Sequence, residues 1–194
     1  MKNCFFIALF IVCVNIVTAS CQLQAKSSVE QLVHIMIRDT KDDSPYLLTK
    51  NRNPSDYQDV YNLATKHPKL LNGIIHDGQT FAMLCVKRGY ADLLASLIKE
   101  GYPVDLATPC YECGPDNPQT TVLHIVFRQI MIPGGNYFIR NCFPEDYIAS
   151  IEELAKLIIN KCPDLLDAPL NRAPTARSRA REWNLYYLIP RELQ

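Results

Sequence analysis

One hexapeptide occurs twice in this chain, and its recurrence constrains the fold more than any other feature. His67-Pro68-Lys69-Leu70-Leu71-Asn72 returns as Cys162-Pro163-Asp164-Leu165-Leu166-Asp167, and each copy follows an apolar run that ends in lysine, at Lys66 and Lys161. The register persists beyond the motif: Asn72 to Thr80 and Asp167 to Thr175 both span 8 positions. A segment that repeats together with its flanking turn is a structural unit. Units this short cannot bury an apolar face alone, so neighbouring copies must stack.

The stretch between the two copies shows what such a unit contains. Asp77-Gly78-Gln79-Thr80 reads as a turn followed by a helix N-cap, the threonine hydroxyl accepting from amides of the first turn. A short helix is expected from Phe81 to Arg88, stopped at Gly89 by the left-handed conformation that glycine takes without strain. A second is expected from Ala91 to Lys99, with Leu93, Leu94, Leu97 and Ile98 on one face, ending at Gly101.

Residues 77 to 105 resemble an ankyrin repeat: Gly78, Thr80, Leu84, Gly89, Leu97, Ile98, Gly101 and Val104 stand at that family's spacing. The sequence departs from the pattern at Phe81, Met83 and Cys85, where the family usually carries Pro, His and Ala. Thr121-Val122-Leu123-His124 is similar to the family's Thr-Pro-Leu-His opening, and a second helix for this copy is expected from about Ile151 to Lys161. The resemblance implies an all-α ankyrin-repeat solenoid of about three to four repeats with an insertion in the penultimate one. The domain then covers 26–194: a degenerate first repeat over 26–72, the best-matching repeat over 73–105, a repeat over 106–167 with insertions near 107–119 and 130–147, and a C-terminal cap over 168–194. The first repeat pairs an amphipathic helix at Ser28 to Arg38 with one at about Tyr57 to Lys66, across a polar loop from Asp39 to Ser55. In the cap, Arg177 stands where an internal repeat buries Leu, and Leu185 to Ile189 is expected to fold back over the stack.

The N-terminus carries an address. Lys2 precedes an apolar run from Phe5 to Val17, broken only at Asn15, which is the pattern of an export signal over residues 1–19 and is too short for a membrane span. Val17-Thr18-Ala19 suits cleavage before Ser20, while Thr18-Ala19-Ser20-Cys21 also resembles a bacterial lipobox, which would make Cys21 a lipidation site. Export to the periplasm, the outer membrane as a lipoprotein, or the medium is the expectation.

Composition excludes several function classes. The chain has 20 basic and 20 acidic residues, so it lacks the net positive field on which nucleic-acid binding rests. With 7 glycines it has little of the glycine-rich phosphate-cradling chemistry of nucleotide enzymes, and no Ser, His and Asp grouping or metal-ligand helix stands out. No cofactor or metal is expected.

The ankyrin resemblance implies instead that another protein is bound, along turn tips and the concave face of the first helices. The family's variable contact positions fall on His76, Asp77, Gln79, Lys87 and Arg88, and in the following copy on Asn117, Pro118, Thr120, Arg128 and Gln129. In the same motif His124 implies a structural bond between adjacent turns. Arg172, Arg177, Arg179 and Arg181 form a basic stretch that reads as a solvated face or as a meeting point for an acidic partner.

Cys110, Cys113, Cys142 and Cys162 are the disulfide candidates for an oxidising exported setting, with the connectivity open. Cys110-Tyr-Glu-Cys113 also has zinc-ligand spacing. The alternative reading is therefore a cysteine-dependent enzyme, with His124 as base, or a zinc-binding module built on the inserted loops.

Overall fold

The computed structural model describes residues 28–37, 52–111, 118–131 and 145–194. The export segment, Cys21, Asn117, Cys113, Cys142 and most of the expected insertion at 130–147 lie outside the described residues. The architecture is mostly helical, in agreement with the all-α expectation. Seven α-helices appear among the described residues: α1 over 28–37, α2 Pro54–Lys66, α3 Phe81–Lys87, α4 Ala91–Lys99, α5 Val122–Met131, α6 Glu145–Lys161 and α7 Ala176–Glu182. Two antiparallel two-stranded hairpins join them, β1 Ile74–His76 with β2 Gln79–Thr80, and β3 Cys110–Tyr111 with β4 Gln119–Thr120.

Both copies of the repeated hexapeptide fold alike. Pro68–Leu71 and Pro163–Leu166 are each one 3-10 turn with proline at its start. In each the leucine pair is buried, at 4% and 0% exposure for Leu70 and Leu71 and the same for Leu165 and Leu166. Proline suits this position because its fixed φ is helical and the amide it lacks would have no partner there.

The units also start and stop by the same chemistry. Thr80 accepts from the Met83 amide at 3.3 Å, and Thr175 accepts from the Ser178 amide at 3.2 Å. Nine positions after each threonine the chain turns left-handed, at Gly89 with φ 76° and at Asn184 with φ 56°. Asparagine is the non-glycine residue that best tolerates this conformation. The bonds that close the two ends match: the Tyr90 amide donates to the Cys85 carbonyl and the Leu185 amide to that of Ala180, each at 2.8 Å. The end of α4 repeats the pattern, with the Tyr102 amide on Leu97 at 3.0 Å and the Gly101 amide on Ile98 at 3.1 Å.

Two helical layers result. The first helices α3, α5 and α7 pack in succession, while α4 packs on α6 behind them. Phe81 and Phe127 fill the centre at 0% exposure, together with Leu84, Leu93, Leu94, Leu97, Leu123 and Leu154. The tail folds back as expected, with Leu185, Leu188 and Ile189 buried.

Two boundaries move from the sequence expectation. α2 begins at Pro54 and not near Tyr57, because the Asn53 side chain caps it, accepting from the Ser55 amide at 3.1 Å. α6 begins at Glu145, ahead of Ile151, because Ile148 continues the buried stripe of Ile151, Leu154, Ala155, Ile158 and Ile159 one turn earlier. The helix therefore takes in Glu145 to Tyr147, which the sequence reading places in the loop.

Arg52 fastens α2 to the middle unit. Its guanidinium donates to the Gly89 carbonyl at 2.8 Å and to both Asp92 carboxylate oxygens at 2.9 and 2.7 Å. It also lies over the rings of Tyr57 and Tyr90, at 4.7 and 5.0 Å from their centroids. Such a planar cation serves bidentate pairing and ring stacking at once, which a lysine could not do.

Candidate functional site: hairpin tips and the first-helix face

The hairpin tips are set by local sequence. Asp77 and Gly78 both have positive φ, 44° and 73°, the turn that matches the twist of a two-residue hairpin loop, and Asp-Gly is a preferred pair for it. The strands place His76 and Asp77 at the tip, where His76 Nε2 lies 3.0 Å from the Asp77 carboxylate. Asp77 is exposed and His76 half-buried.

Each tip is tied to the next unit through backbone groups. The Asp105 amide donates to the Leu71 carbonyl at 2.8 Å, and the Asp105 carboxylate accepts from Gly73 at 3.1 Å and from Ala107 and Thr108 at 3.0 Å each. Partial burial pushes this carboxyl up, but the bonds from Thr108, Gly73 and Ala107 outweigh that effect and hold it below its ordinary value of 3.8. One junction further on, the Gln119 amide donates to the Asn171 carbonyl and the Asn171 amide donates back to Gln119 Oε1, both at 3.0 Å. Hydrogen bonds thus tie the base of the first hairpin, and strand β4 of the second, to the segment that follows each.

His124 is buried on α5 with its ring between the Thr121 hydroxyl, at 2.9 Å, and the Pro174 carbonyl, at 3.0 Å. Its position is that of a tie between successive turns.

The sequence-derived contact residues are unevenly exposed. Lys87, Arg88, Gln79 and Gln129 are half-buried, and Pro118 and Arg128 are exposed. Gln79 Oε1 and Arg88 Nε are buried atoms with no hydrogen-bond partner among the described residues. Thr120 requires a correction: at 3% exposure it is not part of an open contact surface, because its strand β4 packs it inward, and it belongs to the wall of a cleft.

Two residues that the sequence did not single out stand on the same hairpins. Ile74 on β1 is 59% exposed and Tyr111 on β3 is 36% exposed, large apolar side chains left in solvent on consecutive hairpins. In three- and two-residue strands no alternation exists to say which face is buried, so the sequence carried no signal for them.

The cysteines are in different settings. Cys85 is fully buried and burial pushes its thiol well above the ordinary value. Cys110 is buried on β3 and Cys162 half-buried, with burial raising the Cys162 thiol. These three form no disulfide with one another. Among the described residues no three His, Cys, Asp or Glu side chains group so as to hold a metal ion, and no helix is long and apolar enough to cross a membrane.

No family model matches the chain, and no curated protein and no solved structure matches it either.

Proposed function

We propose that this chain is an exported ankyrin-type stack of about three to four repeats, and that it binds a partner protein along its hairpin tips and first-helix face. The repeat reading is supported by the shared register of Thr80 to Gly89 and Thr175 to Asn184, and by the hairpin-to-hairpin ties through Asp105 and Gln119. Export is supported by Lys2 and the apolar run behind it.

The observation that carries the binding role is the exposure of Ile74 and Tyr111 on consecutive hairpins. Apolar or aromatic anchors beside polar neighbours are the usual composition of a protein-binding patch, where the anchors supply most of the affinity. His76, Asp77, Gln79, Lys87 and Arg88 supply the polar surroundings on the first of these units, and Arg128 and Gln129 on the second.

The test is affinity capture from native extracts with the full chain beside two variants. One carries Ile74→Ser and Tyr111→Ser, and the other has alanine at His76, Gln79, Lys87 and Arg88. A protein retained by the wild type and lost with both variants is the expected result. Equal retention by all three would place binding elsewhere and overturn the reading.

A further inference from the structure

Where the last two units meet, strand β4, the middle of α5, the turn at 172–174 and α7 enclose a cleft of about 120 Å³. Its lining brings together Arg128, Arg172 and Arg179, from three separate segments, and holds no carboxylate among the described residues. Arg179 is set in place from two sides: its guanidinium lies 5.2 Å from the centroid of the Trp183 ring, and one nitrogen, Nη1, donates to Glu182 at 2.7 Å. A guanidinium carries five N–H donors, so that bond leaves donors of Arg179 for a second acceptor. The lining also includes Thr120, whose buried hydroxyl has no hydrogen-bond partner among the described residues. Arg172 holds a left-handed backbone, φ 56°, a conformation rare for a long side chain and found at this turn beside the cleft.

We propose that this cleft is an oxyanion site that takes a carboxylate or phosphate group carried by an anionic peptide segment of the partner. The inference rests on the binding face described above and names the chemistry recognised at one point of it. Three arginines from separate segments line one small cleft, which suits a compact oxyanion, because a guanidinium's planar donor pairs match carboxylate and phosphate oxygens. The cleft volume is enough for one such group. An entering oxyanion also supplies the acceptor that the Thr120 hydroxyl lacks.

Trp183 is the chain's single tryptophan and lines the cleft, so its fluorescence reads occupancy of this site directly. The full chain is titrated calorimetrically, and by tryptophan emission, with a short glutamate-rich peptide, its phosphoserine counterpart, its lysine counterpart, inorganic phosphate and oligothymidylate. The variants are Arg128→Gln and Arg172→Asn, the second chosen because asparagine tolerates the left-handed backbone. Urea unfolding establishes that each variant is folded.

Saturable binding of the glutamate or phosphoserine peptide with a change in Trp183 emission is expected, and whichever binds more tightly identifies the oxyanion. Added salt weakens it, the lysine peptide leaves emission unchanged, and each variant binds about tenfold more weakly. Calorimetric binding without a change in emission overturns the proposal, as does wild-type affinity in both variants. Preference for oligothymidylate, or saturation by inorganic phosphate with neither peptide bound, overturns the peptide assignment. Capture that survives a failed peptide titration removes only the oxyanion site. Peptide binding that survives a failed capture keeps the cleft and removes the wider face.

Discussion

His124 Nε2 lies 3.0 Å from the carbonyl oxygen of Pro174, a residue 50 positions later in the chain, while Nδ1 lies 2.9 Å from the Thr121 hydroxyl. A carbonyl only accepts, so Nε2 donates, and one buried ring joins the start of α5 to the turn that precedes α7. Replacing His124 with alanine leaves a buried carbonyl and hydroxyl to find new partners. The expected loss is about 1–3 kcal/mol in urea unfolding. Amide exchange should accelerate in α7 more than in α2, because only α7 is held through Pro174. Uniform acceleration across both helices would deny His124 this local role.

The end of α4 offers a test of backbone strain separated from packing. Gly101 has φ 83°, and a Cβ built there meets no atom within 4 Å. The Cβ itself is unobstructed, so the left-handed backbone is the main cost expected of Gly101→Val, about 1 kcal/mol or more. Gly101→Asn should cost less, since asparagine enters the left-handed region more readily than a β-branched residue. Equal melting temperatures for wild type and both variants would show that this helix stop contributes nothing.

The tie through Asp105 makes part of the stability depend on acid. Its carboxyl is held below its ordinary value of 3.8, so its contribution is fully present above that pH and is lost as pH falls through the lowered folded value. Asp105→Asn should melt below wild type at neutral pH, because an NH2 group, which can only donate, replaces one of the two carboxylate oxygens that accept from Gly73, Ala107 and Thr108. The gap between the two proteins should narrow on acidification below pH 3.8. A gap independent of pH would assign the Asp105 effect to shape and not to charge.

What could be read in the sequence was what one helical turn decides. A threonine cap needs only the amide three residues ahead, and a glycine stop needs only its own φ, so Thr80, Gly89 and Gly101 were legible in advance. The Arg52 clamp was not, because Gly89 and Asp92 lie 37 and 40 residues away and no local pattern announces them. The first turn of α6 escaped for a related reason: Ile148 alone carries its stripe ahead of Ile151, and Glu145 and Asp146 before it read as loop. Thr120 is expected in a contact surface because a variable contact position of the ankyrin pattern falls on it, yet the pairing of β4 with β3 turns it inward. Ile74 and Tyr111 carried no signal at all, since strands of three and two residues show no alternation from which an exposed side could be read.

The last junction depends on a single guanidinium. Arg177 donates from Nε and Nη2 to the two carboxylate oxygens of Asp167, both at 2.7 Å, and from Nη1 to the carbonyl of Leu193. It thereby joins the second copy of the repeated hexapeptide to the tail that covers the stack. The carboxylate is mostly exposed, at 60%, so the ion pair alone is expected to contribute at most about 1 kcal/mol. The larger effect of Arg177→Ala should be local: loss of protection at the amides of Leu188 and Leu193, with faster carboxypeptidase trimming, while α3 and α4 keep wild-type exchange. Arg177→Lys distinguishes charge from geometry, because an ammonium cannot span both Asp167 oxygens and the Leu193 carbonyl in one plane. If the lysine variant protects the tail as well as arginine does, a point charge suffices and the forked geometry is incidental.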